Sequence, residues 1–136
     1  MRVSEQTREQ IMTVLRRLEE ATAKKDVDGI MALTDPDFWG LFAGEKAVGR
    51  EACRRHLERG FSQAEKISVD LSDIHIAAEG TVAWVMADTA CRFVVAGIPQ
   101  TLNGRMTAVL RGTGHAWIFA QVHCSLPAEG RSPPAN

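Results

Sequence analysis

Ile11, Val14, Leu15 and Leu18 recur at spacings of three and four, the pattern of a helix that buries one face. Arg8, Arg16, Arg17, Glu19 and Glu20 fall mostly on the other side, which predicts an amphipathic helix from Ser4 to about Lys25. Ser4 stands where an N-cap belongs, Thr7-Arg8-Glu9-Gln10 offers a capping box in a later register, and Lys24 and Lys25 suit the helix C-terminus. Asp26 caps a short second helix, Val27 to about Thr34, which must stop before Pro36 because the residue preceding a proline disfavours helical backbone. Phe38 to Ala43 reads as a short aromatic-rich strand, Gly44-Glu45-Lys46 as a turn, and Arg50 to Phe61 as a third helix with Cys53 and Leu57 at i, i+4.

Beyond this point the period changes to two. Ile67, Val69, Leu71, Ile74 and Ile76 mark a strand that ends at Ala78-Glu79-Gly80, and Thr81 to Val95 forms the next. After a turn at Gly97, Thr101 to Arg111 is a third strand, and Ala116 to Leu126 follows the Gly112-Thr113-Gly114 turn. Three helices followed by an antiparallel meander predict an α+β fold with the helices on one face of a strongly curved sheet. Such a cone-shaped domain leaves an interior whose mouth is a natural ligand site.

In the last strand the even positions Ile118, Ala120, Val122, Cys124 and Leu126 are all apolar, and the odd ones mix aromatic with polar groups. The preceding strand divides the same way, with Leu102, Gly104, Met106, Ala108 and Leu110 as its apolar set. The even face should therefore point to the helices, since unpaired buried polar groups are costly. Arg105, Trp117, Phe119, Gln121 and His123 then form an outward face whose aromatic centre and polar rim fit a two-fold homodimer contact.

Sixteen basic residues against 17 acidic give a net charge of −1 over 136 residues. One domain is the expectation at this length, with no electrostatic footprint for nucleic acid and no basic stretch for a membrane surface. The three cysteines, Cys53, Cys91 and Cys124, lie at wide spacings without C-x-x-C, and no histidine has a ligand-spaced neighbour, so neither a metal nor a cofactor is expected. The polar N-terminus and the short apolar runs favour a cytoplasmic protein.

Asp26 before the second helix, Asp35-Pro36-Asp37-Phe38 leading the first strand, Gly49-Arg50-Glu51-Ala52 opening the third helix, Gly80-Thr81-Val82-Ala83-Trp84 and the ending Trp117…His123-Cys124-Ser125 together resemble the SnoaL-like family of the nuclear-transport-factor-2-like superfamily. Gly97-Ile98-Pro99-Gln100-Thr101 with the same ending is similar to the association domain of calmodulin-dependent kinase II. The resemblance implies a single SnoaL-like domain over residues 1–127; the remainder, 128–136, follows a proline, contains two more and has no apolar run, and reads as a disordered tail. Ketosteroid isomerases of this superfamily rely on a first-strand carboxylate and a tyrosine. The matching positions here are Gly40 and Leu18, and the chain has no tyrosine, so that mechanism is excluded. The arginines that line the association-domain pocket map to the uncharged Met86, Ala108 and Cys124.

With Met86 placed inward, even parity in Thr81–Val95 also brings Trp84 and Asp88 inside. A carboxylate in an apolar cone would be desolvated toward a pKa useful for proton transfer, which makes Asp88 the best catalytic candidate. The expected pocket comprises Phe38, Phe42, Trp84, Met86, Asp88, Ala108, Val122 and Cys124. The leading functional reading is a SnoaL-like protein that binds a small, mainly apolar molecule, with isomerase- or cyclase-type proton transfer as its chemistry. The alternative is a non-catalytic dimerisation or sensing module whose cone is filled as core. A cavity of roughly 300 Å³ or more with a polar group in its wall favours the former.

Overall fold

Ser4 accepts a hydrogen bond from the Thr7 N–H at 3.1 Å and starts helix α1, Glu5–Ala23. The computed structural model describes residues 3–126; the expected tail, 128–136, and Pro127 lie outside the described residues. Asp26 caps α2, Val27–Met31, by accepting from the Gly29 N–H at 2.9 Å. Strand β1, Thr34–Phe42, follows directly, four residues earlier than the aromatic run suggests. The Gly44-Glu45-Lys46 stretch is more than a turn: Ala43 and Gly44 reverse the chain with positive φ, and Glu45–Val48 returns as a short strand, β2. Gly49, at φ 91°, donates to the Phe38 carbonyl at 2.7 Å and opens helix α3, Arg50–Gln63. That left-handed backbone favours glycine.

Four long strands complete the chain: β3 Lys66–Glu79, β4 Val82–Val95, β5 Ile98–Gly112 and β6 Trp117–Ser125. The six strands form one sheet in the order β2-β1-β6-β5-β4-β3, antiparallel throughout except for the parallel pair β1 and β6. The α+β architecture is thus as expected, with the helices on the concave side of a curved, unclosed sheet. Ile11, Val14 and Leu15 of α1 pack against Val85, Met106, Ala108 and Leu110. No helix among the described residues is long and apolar enough to cross a membrane.

Two face assignments, one inward and one outward, are corrected by register. In β5, Met106, Ala108 and Leu110 are buried as expected. Their cross-strand partners in β4 are Ala87, Val85 and Ala83, so the odd positions of β4 share the inner face. Trp84, Met86 and Asp88 point outward. Directly paired residues in a sheet occupy the same face, and here every pair joins an even position to an odd one. Across the whole strand the odd positions carry no charge, with Thr89 their one polar residue, whereas the even ones include Asp88 and Arg92.

The second correction concerns β6. Val109 pairs with Gln121, but Leu110 pairs with Phe119, so Ala120 is an extra residue in the ladder. A bulge of this kind reverses the alternation on its far side. Val122 and Cys124 remain inward, whereas Phe119 turns inside, 3% exposed. Trp117 joins it against the core, and its indole Nε1–H donates to Gln10 Oε1 at 3.0 Å. Phe119 and Trp117 therefore leave the expected dimer face. Arg105, Gln121 and His123 stay exposed on it.

Asp35 fastens the start of β1 to the end of β5. Its carboxylate accepts from the Asp37 N–H at 2.9 Å and from Arg111 Nε at 2.7 Å. These two donors, the Asp37 N–H foremost, hold the Asp35 carboxyl below its ordinary value of 3.8, against the opposing effect of burial. Because the pKa falls on folding, this contribution is complete above the unfolded value and is lost as the pH drops through the folded one. Urea titrations across that acidic range should therefore show Asp35→Asn with a flatter pH dependence than the parent protein. Identical slopes would remove Asp35 from the account.

Candidate functional site

The concave side of the sheet and the three helices enclose a cavity of about 380 Å³. Its wall is almost wholly carbon and sulfur: Leu18 from α1, Phe38 and Phe42 from β1, Phe61 from α3, Val69 from β3 and Phe119 from β6. Gly40 shapes one side, since a Cβ there would sit 2.4 Å from the Phe42 ring and 2.8 Å from that of Phe38. The two rings lie 6.4 Å apart because the residue between them has no side chain.

Of the expected pocket residues, Phe38, Phe42, Val122 and Cys124 line this cavity. Ala108 lies beneath it in the core. Trp84 and Met86 are on the outer face, 44% and 52% exposed, and Trp39 is there too. Asp88 is outside as well, with its carboxylate 3.7 Å from Arg105 Nε and more than half exposed. The desolvation that made Asp88 attractive is absent, and an exposed pair of this kind contributes about 1 kcal/mol or less.

The group in the wall that can accept a proton is His56 instead, alongside the hydroxyls of Thr22, Thr34, Thr89 and Ser125. On α3, Cys53, His56, Leu57, Gly60 and Phe61 recur at helical spacing and all face the cavity. The imidazole stacks on Phe42 with ring centroids 4.2 Å apart and planes 13° from parallel. Its Nδ1 lies 3.2 Å from Glu45 Oε2, an ion-pair distance, while Arg59 holds the other oxygen of the same carboxylate. A carboxylate beside Nδ1 favours the tautomer protonated there and leaves Nε2 with a lone pair able to take a proton. Ten residues lie between Glu45 and His56 in the chain, and only the fold-back of β2 onto α3 joins them. The inward spacing of His56 with Cys53 and Leu57 was the one signal the sequence carried for this residue.

All three cysteines also line the cavity, and all are free. Burial pushes the Cys53 and Cys124 thiols up to about 11, and it raises Cys91 as well. They are hydrophobic wall rather than nucleophiles, because the thiolate is the reactive form. Relative to an ordinary thiol at 9.0, the thiolate fraction at neutral pH falls roughly 100-fold. Iodoacetamide should accordingly label Cys53 and Cys124 at least that much more slowly in the folded protein than in urea, as read by peptide mass spectrometry. Equal rates would mean that the wall is open to water. Among the described residues no group of three or more His, Cys, Asp or Glu side chains is placed to hold a metal ion.

Several solved structures share this architecture. A candidate dehydratase of the nuclear-transport-factor-2-like family from Streptomyces avermitilis is 18% identical, with 91% of this chain and 99% of that chain covered and a TM-score of 0.84. A superfamily protein from Salmonella enterica is also 18% identical, over 98% of this chain and 100% of the other, with a TM-score of 0.85. A candidate calmodulin-dependent kinase II association domain from Xanthomonas campestris is 16% identical over 88% and 86% of the two chains, with a TM-score of 0.79. A search among curated proteins gives no match. Likeness at these identities shows the fold. The sequence itself matches the SnoaL-like domain over residues 11–129, and on that span, with the helices and curved sheet described above, the chain belongs to the SnoaL-like family.

Proposed function

We propose that this protein binds a small, mainly apolar molecule in the cavity and moves a proton on it through His56. The observation that carries this reading is the placement of one imidazole, with Glu45 at Nδ1, in a mainly apolar wall whose other polar side chains are the hydroxyls of Thr22, Thr34, Thr89 and Ser125, enclosing about 380 Å³. A neutral imidazole there can take a proton from an acidic C–H of a bound ring and return it elsewhere, the exchange that isomerisation and dehydration require. The candidate dehydratase name of the Streptomyces avermitilis relative is in keeping with such chemistry.

Nitrobenzisoxazole is a suitable probe, because removal of its ring C–H proton breaks the N–O bond and releases a coloured cyanophenolate. The protein should convert it with saturation, and the neutral fluorophore N-phenylnaphthylamine should bind one per chain and inhibit competitively. Absence of saturable fluorophore binding would refute the cavity as a ligand site. Conversion that persists under saturating fluorophore would refute the catalytic part.

For the assembly, we propose a two-fold homodimer through the outer face of the sheet. Trp39, Leu41, Trp84 and Met86 are 61%, 41%, 44% and 52% exposed there. The ladder sets Trp39, Gln121, Val109 and Trp84 in one row, and Leu41, His123, Thr107 and Met86 in the next. The adjacent Asp88 and Arg105 give a second copy opposite charges to meet. Sedimentation should report a dimer that Trp84→Glu converts to a folded monomer. A monomeric parent protein, or a variant still dimeric, would exclude this interface.

A further inference from the structure

A second cavity, of about 410 Å³, lies against the middle of α1 and shares no residue with the first. One face of α1 supplies Gln10, Thr13, Val14 and Arg17; the β3–β4 turn supplies Gly80 and Thr81; the β5–β6 turn and the start of β6 supply Gly112, Gly114, His115 and Trp117.

The polar groups in this wall are mostly donors. Arg17 makes no ion pair and no side-chain hydrogen bond among the described residues, unlike its neighbour Arg16, which is paired with Glu19 at 2.8 Å. Gln10 spends its carbonyl oxygen on the Trp117 indole, which leaves its amide N–H₂ group to donate. The Thr13 hydroxyl is already committed to the Glu9 carbonyl at 2.9 Å. The side chains of His115 and Thr81 have no partner among the described residues. No Asp or Glu belongs to the lining, although Glu79 adjoins the Gly80 turn in sequence.

The indole of Trp117 packs over Gly112, 3.4 Å from where a Cβ would stand, and forms a flat apolar wall. Nothing lies within 4 Å of a Cβ built on Gly80 or Gly114, so the two turns border open space. A guanidinium offers two parallel N–H groups to a carboxylate or phosphate, and the indole offers a surface for a ring.

We propose that this cavity is a binding site for a small organic anion, an aromatic carboxylate or phosphate ester, held by Arg17 with its ring against Trp117. The site is independent of the proton-transfer reading, since its residues play no part there.

The test is a titration of nitrogen-15-labelled full-length protein with benzoate, phenyl phosphate and neutral benzamide. The three indole N–H signals report directly, and the Trp39→Phe and Trp84→Phe variants identify that of Trp117. Benzoate or phenyl phosphate should shift the Trp117 indole and the Gly112 and Gly114 amides saturably, with the preferred one naming the acid group. Benzamide should bind at least about tenfold more weakly, and Arg17→Gln should weaken the anion about tenfold or more at unchanged melting temperature. Arg16→Gln should leave binding intact. Absence of saturable shifts with both anions, equal binding of benzamide, or full binding by Arg17→Gln would each overturn the proposal.

Discussion

An alanine at position 119 should cost about 3–5 kcal/mol of folding stability, because a fully buried phenyl ring is removed and its space is not refilled. Phe119 is 3% exposed, borders the main cavity and carries an N–H bound to the Leu33 carbonyl at 2.8 Å. The void left by the ring would merge with a cavity that already exists, so the surroundings have little to collapse onto. The melting temperature should fall by roughly 10–20 °C for a domain of this size. Ile118, one residue earlier and on the outer side of the bulge, should lose about 1 kcal/mol on the same change. The comparison tests the bulge at Ala120 directly. Without it the costs would be reversed, and Ile118 would be the core residue.

His56→Gln should lower kcat/KM for nitrobenzisoxazole by about 10²–10⁴, which is roughly 3–5 kcal/mol of transition-state stabilisation. Glutamine approximates the size and keeps a hydrogen-bonding group, but its amide cannot accept the proton at neutral pH. Fluorophore affinity should change by no more than about threefold, because the Phe42 wall and the other apolar groups remain. Glu45→Gln should give a smaller loss, about tenfold, since the imidazole survives while its orienting charge does not. A His56→Gln protein with the parent rate would leave the cavity a binding site without this chemistry. A parallel loss of fluorophore binding would assign His56 to shape rather than proton transfer.

The uneven legibility of the site has a specific cause. Val122 and Cys124 could be read inward because they lie on the stretch of β6 beyond the bulge, where the alternation matches that of β5, and Phe38 and Phe42 because they stand out as an aromatic pair on the first strand. Asp88 was misplaced because its strand was oriented by a family likeness, against its own small apolar set of Ala83, Val85 and Ala87. Phe119 and Trp117 were misplaced because the extra residue in β6 leaves no mark in the hydrophobic pattern. The Glu45–His56 pair was out of reach for another reason: one member sat in a segment read as a turn, which the structure extends into strand β2.

What the chain determined unaided is most of its elements, and the sidedness of those whose pattern is unbroken. The helices, the four long strands and the apolar face of β5 follow from local periodicity and capping, which act over a few neighbouring residues. What only the folded molecule decided is how those faces meet: the even-to-odd register of β4 on β5, the bulge in β6, and the approach of β2 to α3. Pairing register is set by the packing and hydrogen bonding of distant segments, and a one-residue offset exchanges the inside of a strand for its outside. That is why the cavity was foreseeable and the pairing of His56 with Glu45 was not.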